Sequence, residues 1–202
     1  DENIRNSTRS TDFITPKSAV SKLFRNAALE LARTQPFARK LVNSGRLSVP
    51  AFLVQSALNT PDADAFEGNM VPGAPMDDAP VRVAGQDAWL LDQLGNRFVL
   101  MVFVDGTQGL APAQRTSLQA LAQAPVPVQL LTVGAGGDVE DAQGLVARRY
   151  DARPGTAYLI RPDQHVAARW RHVDLAAVQA ALARATGQGL AAAVARPEAI
   201  AA

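Results

Sequence analysis

Few residues in this sequence are of a type and spacing that could perform chemistry. The most suggestive stretch is residues 134–138 (GAGGD), which follows a strand pattern and precedes a helical one, so that a phosphate could lie at the helix N-terminus. A dinucleotide-binding fingerprint would require glycine where Val139 stands, and Asp138 and Glu140 place negative charge where the phosphate would lie. We therefore predict a plain turn.

Two further groups of polar residues invite a functional interpretation. His165 could act as an acid or base near neutral pH, but it stands in a hairpin turn without an obligatory Ser or Asp neighbour, which favours a surface or capping role. Asp77 and Asp78 lie in a Pro/Gly-rich stretch without metal-ligand spacing and indicate turn chemistry. Trp89 and Trp170 are more typical of core or interface anchors than of ligand-stacking rings.

Arginines of the last third could form an anion site. The six are Arg148, Arg149, Arg153, Arg161, Arg169 and Arg171. The alternation in residues 166–171 (VAARWR) favours instead a strand with one solvated face. We therefore assign no catalytic, cofactor-binding or metal-binding residue in this chain, and rank an enzyme with its own site last.

Composition excludes several classes of function. The chain has no cysteine and two histidines, which removes disulfides, thiolate metal sites, dithiol redox centres and His-rich metal sites. Its apolar runs, such as those at residues 99–104 and 190–195, are far shorter than the roughly 20 residues that cross a bilayer. We expect no membrane contact and a cytoplasmic location. The sequence begins at Asp1 without a methionine, which we interpret as a fragment or processed chain.

Charge divides the chain into a basic first part and an acidic remainder. Residues 1–60 carry a net charge of +5 and residues 61–202 a net charge of −4. The basic residues are spaced at helical intervals without interleaved aromatics, so we expect no nucleic-acid partner.

The first part, residues 1–58, is predicted to be helical. Thr15-Pro16 and Ser18 begin a helix whose apolar residues recur at intervals of three and four. These residues are Val20, Leu23, Phe24, Ala27, Ala28 and Leu31. A second helix begins at Pro36 and ends at a left-handed stop over residues 43–45, and residues 2–14 could form a further polar helix. So short a segment makes a poor core of its own, so we expect it to be the edge of a missing neighbouring domain.

Residues 59–80 are rich in Pro, Gly, Asp and Asn and have no periodicity. They predict a linker or an extended loop that lies against the surface, and we place the domain boundary there.

The second part, residues 81–187, alternates strand and helix patterns and is followed by a tail over 188–202. The predicted order is strand, helix, strand, helix, strand, strand, helix. The corresponding ranges are 97–104, 112–124, 126–133, 138–150, 156–161, 165–171 and 173–186. Right-handed crossovers make the first two strands parallel and the hairpin adds an antiparallel pair, which gives an α/β fold with a mixed sheet and helices on both faces.

That order resembles the thioredoxin-like fold. In its redox-active members a dithiol follows the first strand, where this chain has residues 105–112 (DGTQGLAP) and no cysteine. Thiol–disulfide exchange is therefore chemically impossible here.

Six stretches together resemble the C-terminal portion of FAD-dependent aromatic-ring hydroxylases, the phenol and phenylpropionate hydroxylase group of flavoprotein monooxygenases. The stretches are residues 3–18 (NIRNSTRSTDFITPKS), 43–50 (NSGRLSVP), 58–60 (LNT), 71–81 (VPGAPMDDAPV), 89–98 (WLLDQLGNRF) and 158–170 (YLIRPDQHVAARW). One departure is Gln164, where the family pattern leads us to expect glycine in the turn.

The resemblance implies a parent enzyme that uses NAD(P)H and FAD to hydroxylate an aromatic ring. The family's FAD-binding elements have no counterpart here, so no cofactor is expected in this chain. The implied partners are a missing N-terminal flavin domain of the same polypeptide and, through the thioredoxin-like domain, further copies in a homo-oligomer. The alternative is a free-standing, redox-inactive thioredoxin-like module that binds another protein.

Overall fold

The computed structural model describes residues 8, 11–43, 50–106 and 110–188. The chain divides into two compact units, Asp1–Ala51 and Phe52–Ala202. Among the described residues no helix is both long and apolar enough to cross a membrane.

In the described residues of the first unit, residues 11–14 are helical and two longer helices follow, α1 (Ala19–Thr34) and α2 (Pro36–Asn43). Ser18 caps α1, and its Oγ accepts a hydrogen bond from the backbone N–H of Ser21 at 3.1 Å. The predicted apolar face is largely exposed, since Val20 and Leu23 are 78% and 72% accessible. The predicted left-handed stop at 43–45 and most of the predicted helix at 2–14 lie outside the described residues.

The second unit is built on a mixed four-stranded sheet. Its strands are β3 (Phe98–Val104), β4 (Val128–Gly134), β5 (Ala157–Ile160) and β6 (Val166–Trp170), after a separate hairpin of β1 (Pro80–Val83) and β2 (Gln86–Trp89). The order across the sheet is β4-β3-β5-β6, with β3 and β4 parallel and the other two pairs antiparallel. The predicted α/β class and mixed sheet are confirmed.

Alternation along β3 divides the core into two layers. Leu100 and Val102 face one layer, with α3 (Pro112–Gln119) and α5 (Leu175–Ala185). Met101 and Phe103 face the other, against Tyr150 and residues between 70 and 94. All seven residues of β3 are buried, as its continuous apolar run predicts.

The helix predicted over residues 138–150 is mostly wrong, because only α4 (Leu145–Arg149) forms. The Asp141 carboxylate accepts hydrogen bonds from the backbone N–H groups of Leu145 and Ala147 at 2.9 and 2.8 Å, which fixes the helix start. Before it, Gly144 adopts a left-handed φ of 62°, and Val139 forms a parallel bridge with Val133 of β4. The backbone before Gly144 therefore extends the sheet edge rather than the helix.

The β1-β2 hairpin is absent from the sequence-based prediction. Its turn is Ala84-Gly85, with φ angles of 50° and 79°. Two positive φ angles are typical of the tight turn that matches strand twist. Alanine is an unusual residue in the first of these positions, which hides the signal in the sequence.

Residues 52–79, which we call the strap, run along the outer edge of β6. The backbone N–H of Thr60 donates to the carbonyl of Ala167 at 2.9 Å, and the N–H of Gly73 donates to that of Val166 at 2.7 Å. Met70 and Met76 of the strap are buried in the core. Residues 59–80 are therefore neither a free linker nor the domain boundary, which lies between Ala51 and Phe52. They form a loop against the second unit, the other predicted alternative, because hydrogen bonds to a strand edge and buried methionines attach them.

Gln164 occupies the turn between β5 and β6 with a left-handed φ of 60°. Its side-chain amide donates to the carbonyls of Leu91 and Leu94 at 3.0 and 3.2 Å. This position therefore has the left-handed backbone conformation that glycine adopts most easily, as the family pattern leads us to expect. In this chain the glutamine side chain adds two long-range hydrogen bonds that glycine could not make.

This arrangement predicts an inverted order for two substitutions at Gln164. Gln164→Ala loses both hydrogen bonds and keeps the backbone strain, so we expect a loss of about 2 kcal/mol in the free energy of unfolding. Gln164→Gly loses the bonds but relieves the strain, and should be about 1 kcal/mol more stable than the alanine variant. Urea unfolding followed by circular dichroism measures both, and an alanine variant at least as stable as the glycine variant would contradict the account.

Candidate functional site

A cluster of charged and aromatic side chains lies where the strap crosses β6. Arg169 binds Asp62 through two hydrogen bonds, Nε to Oδ1 at 3.0 Å and Nη2 to Oδ2 at 2.6 Å. Its Nη1 donates to the carbonyl of Met70 at 3.1 Å. The Arg169 side chain is 3% exposed and that of Asp62 is 28% exposed, so the guanidinium is shielded from water and the carboxylate is partly solvated.

Arg171 makes a second set of contacts with the strap. Its backbone N–H donates to Asp64 Oδ2 at 2.8 Å, and its guanidinium donates to the Ala65 carbonyl and to the backbone and carboxylate of Asp151. The guanidinium carbons of Arg169 and Arg171 lie 4.3 and 3.8 Å from the ring centre of Phe66. We call Phe66, Arg169, Arg171 and their carboxylate partners the arginine clamp.

The electrostatics of the clamp favour its charged form. The backbone N–H of Glu67, together with Arg171, lowers the pKa of Asp151. Burial acts to lower the pKa of Arg169, but its hydrogen bonds with Asp62 and Tyr158 outweigh burial and raise that pKa. Both guanidinium groups are thus matched by carboxylates of this chain, which suits a structural connection between strap and sheet.

The prediction that β6 has one solvated face is therefore wrong, since all five residues of this strand are buried. The physical reason is that the strap covers the face and edge that the alternating pattern assigns to solvent. The other four arginines lie elsewhere: Arg148 and Arg149 are exposed on α4, Arg153 is exposed, and Arg161 pairs with Asp163 at 2.7 Å. The six do not form one anion site.

Beneath the clamp lie two buried tyrosines. The Tyr158 hydroxyl donates to the Tyr150 carbonyl and the Tyr150 hydroxyl to the Asp77 carbonyl, both at 2.5 Å. Their rings meet edge to face with centres 5.4 Å apart. Burial raises the pKa of Tyr158 to about 12, although Arg169 acts in the opposite direction, and burial also raises the pKa of Tyr150.

These tyrosines predict an alkaline limit to stability. A phenol whose pKa is raised on folding stabilises the fold below the unfolded-state pKa of about 10, and that contribution is lost as the pH rises towards 12. We expect the free energy of unfolding to decrease as the pH rises from about 10 to about 12, and to decrease less steeply in Tyr158→Phe. Urea titrations across this range, with the two proteins compared first at pH of about 8, measure the slopes. Equal slopes would contradict the assignment to Tyr158.

The remaining residues singled out by the sequence have local structural contacts. Thr132 donates to Asp138 Oδ2 through its backbone N–H and its hydroxyl, at 2.8 and 2.7 Å, so the turn of residues 134–138 is closed by its own carboxylate. The Nδ1 atom of His165 lies 3.0 Å from the Asp163 carbonyl, and Asp78 Oδ1 accepts from the N–H of Leu91 at 3.1 Å. None of these contacts assembles an acid, base and nucleophile.

Trp89 and Trp170 differ in exposure. Trp170 is 9% accessible and belongs to the core, as predicted, whereas Trp89 is 53% accessible at the end of β2. Only Trp170 therefore acts as a core anchor within this chain.

A cavity of about 230 Å³ opens at the carboxyl end of β3. Gln114 and His172 are the polar side chains that line it, and the Gln114 amide donates to the Val173 carbonyl at 3.0 Å. Residues 107–109 of the stretch compared with a dithiol site lie outside the described residues. Because the chain has no cysteine, this region cannot carry out thiol chemistry.

The turn of residues 134–138 does not suit the diphosphate of FAD. The turn after β4 leads into the bridge at Val139 and not into a helix, and it presents the Asp138 carboxylate, where a phosphate would meet negative charge. Within the described part of the chain, no group of three or more His, Asp or Glu side chains could hold a metal.

The sequence of this chain is similar to part of a monooxygenase. The chain is 32% identical over 105 residues to a 4-methyl-5-nitrocatechol 5-monooxygenase from Burkholderia sp, an overlap of 52% of this chain and 18% of that protein. The sequence-based resemblance to the C-terminal part of flavoprotein monooxygenases is confirmed.

Solved structures share the fold at low sequence identity. The flavin-dependent monooxygenase PieE, in complex with FAD and substrate, aligns with a TM-score of 0.57 and 23% identity over 88% of this chain and 31% of its own. Aklavinone-11 hydroxylase, with FAD and aklavinone, aligns with a TM-score of 0.52 and 20% identity over 80% of this chain and 33% of its own. The chain thus spans about a third of each solved relative.

A family model covers the second unit from the end of the strap to the end of α5. It is described as the HcaD C-terminal domain and matches residues 76–185. Because this match takes in more than half of the 202 residues, the chain belongs to the HcaD C-terminal domain family.

Proposed function

We propose that this chain is the C-terminal region of an FAD-dependent monooxygenase that hydroxylates an aromatic ring with NAD(P)H. The observation that carries the proposal is the 32% identity to a nitrocatechol monooxygenase of which the chain covers 18%. The fold shared with PieE and aklavinone-11 hydroxylase, both solved with FAD, supports it. The flavin supplies the oxygen chemistry in such an enzyme, and this chain contributes no catalytic residue.

The second unit, in this proposal, is a thioredoxin-like domain without its dithiol. The order β4-β3-β5-β6, with a parallel pair joined to an antiparallel hairpin, supports that assignment. The role that remains for such a domain is structural, in folding and in contacts between copies of a cytoplasmic homo-oligomer.

The first unit is, in this proposal, the edge of the missing flavin domain. Leu23 and Phe24 of α1 are 72% and 61% accessible, and Ala28 is the buried residue of this helix. An amphipathic helix normally buries its apolar stripe against a neighbour. The flavin domain of the same polypeptide would supply that neighbour.

Two preparations test the proposal. The purified 202-residue chain should show no flavin absorbance and no NAD(P)H oxidation, whereas the parent polypeptide should bind FAD and oxidise NAD(P)H with a phenolic substrate. In the parent, Phe24→Asp should weaken flavin retention, and Lys22→Asp is the matched control because Lys22 is an exposed polar residue of the same helix. A yellow 202-residue chain, or a gene that encodes this chain alone, would refute the proposal.

The exposed face of α1 also favours a second candidate. A free-standing, redox-inactive thioredoxin-like module could use Val20, Phe24 and Leu31 to bind another protein. Sequencing the coding DNA upstream of Asp1 separates the two: an in-frame flavin-binding domain supports the monooxygenase, and a start codon supports the module.

A further inference from the structure

The two edges of the four-stranded sheet differ in how far other backbone segments cover them. The strap hydrogen-bonds along the outer edge of β6, as described above. At the opposite edge, β4 pairs with β3 alone. Only the carboxyl-terminal half of β4 is covered, where Thr132 and Gly134 bond to Asp138 and Val139.

The amino-terminal half of β4 presents free backbone groups at this edge. The N–H groups of Thr132 and Gly134 point to the outer edge, so by the two-residue alternation of a strand the N–H of Leu130 points there too. Within the described residues, no hydrogen bond covers the outer edge over residues 128–131. An uncovered edge of this kind is a template for a further strand.

A basic groove of about 660 Å³ runs beside this uncovered edge. Arg97 and Arg115 line it, together with Gln119, Gln129 and the half-exposed Leu130. Neither arginine forms an ion pair with another described residue. Asp138 also lines the groove, but its carboxylate is held by Thr132. The groove therefore offers two guanidinium groups that form no ion pair within the described part of the chain.

We propose that the outer edge of β4 over residues 128–131 binds an extended acidic peptide as an additional strand. The edge supplies backbone hydrogen bonds, and Arg97 and Arg115 supply charge-assisted bonds to its carboxylates. Charge favours this occupant over a second copy of the chain, because β4-to-β4 pairing would bring the arginines of both copies to one edge. The proposal concerns a partner and is independent of the parent enzyme's reaction.

Fluorescence anisotropy with a labelled nonapeptide of alternating glutamate and valine tests the site on the 202-residue chain. We expect this peptide to bind about tenfold more tightly than the same peptide with glutamine in place of glutamate. Its affinity should fall as the sodium chloride concentration rises from about 50 to about 500 mM. Arg97→Gln and Arg115→Gln should each weaken binding by about fivefold or more. Arg82→Gln is the control, since Arg82 lies in the β1-β2 hairpin and pairs with Asp87.

Amide hydrogen exchange locates the bound peptide. Protection of the amides over residues 128–131 is the expected result. Two N-methylated peptides give a second test: the peptide methylated on the alternate residues that face β4 should lose binding, and the peptide methylated on the other alternate residues should still bind. Absence of binding, equal binding of the glutamine peptide, or protection confined to another segment would overturn the proposal. Concentration-dependent dimerisation of the chain alone, with protection of the same edge, would also overturn it and assign the edge to a second copy.

Discussion

Replacement of Arg169 by alanine is expected to lower the free energy of unfolding by about 3–5 kcal/mol. The substitution removes both hydrogen bonds to Asp62 and the bond to the Met70 carbonyl, and it leaves the Asp62 carboxylate, which is 28% exposed, without its partner. It also removes the guanidinium from the ring of Phe66. Urea unfolding of the two proteins at neutral pH gives the difference.

A matched control separates the buried pair from an ordinary surface pair. Arg161→Ala breaks the contact with Asp163, whose side chain is 47% exposed, so we expect a loss of at most about 1 kcal/mol. A double-mutant cycle of Arg169→Ala with Asp62→Ala should show a coupling energy above about 1 kcal/mol. Arg169→Lys should restore little, because lysine cannot bind both carboxylate oxygens in the same fork. Equal losses for Arg169→Ala and Arg161→Ala would show that the clamp does not hold the strap.

Gly134→Ala is expected to be the most damaging single-methyl substitution in the sheet. A Cβ at this position would lie 2.0 Å from the carbonyl oxygen of Val104, its partner in β3, and the backbone has a φ of 123°. Relief requires β4 to move away from β3, so we expect a loss of about 4 kcal/mol or more in the free energy of unfolding, seen as low soluble yield and a lower denaturation midpoint.

Gly85→Ala is the matched control for this prediction. Gly85 also has a positive φ, of 79°, but nothing lies within 4 Å of the added methyl group. Its cost should therefore be the conformational strain alone, about 1 kcal/mol. Equal stability of the two variants would contradict the explanation that the close approach of β4 to β3 excludes a side chain at Gly134.

The sequence predicts elements that depend on local pattern and misses those that depend on distant partners. The strand β3 is predictable because burial on both faces requires a continuous apolar run. The turn around Gln164 is predictable because tight turns favour the residue types found there. The sequence leaves the strap ambiguous, because its Pro/Gly-rich composition fits a free linker as well as a loop that lies against the surface. Its attachment depends on hydrogen bonds to β6, about a hundred positions later in the chain.

The arginine clamp illustrates the same limit at the level of side chains. Alternating apolar and arginine residues over 166–171 are compatible with a solvated strand face or with buried ion pairs. The choice depends on Asp62, which is 107 positions away. One signal could have favoured burial: Asp62 and Asp64 lie beside Phe66, a combination that can satisfy and cover guanidinium groups.

The long separation between the strap and β6 has a consequence for the order in which the second unit folds. The β5-β6 hairpin and the β3-β4 crossover close short loops, whereas docking of the strap closes a loop of 107 positions between Asp62 and Arg169. We expect the sheet to form first and the strap to dock in the last kinetic phase. In native-state hydrogen exchange, the amides of Thr60 and Gly73 should therefore open together and at lower free energy than those of β3.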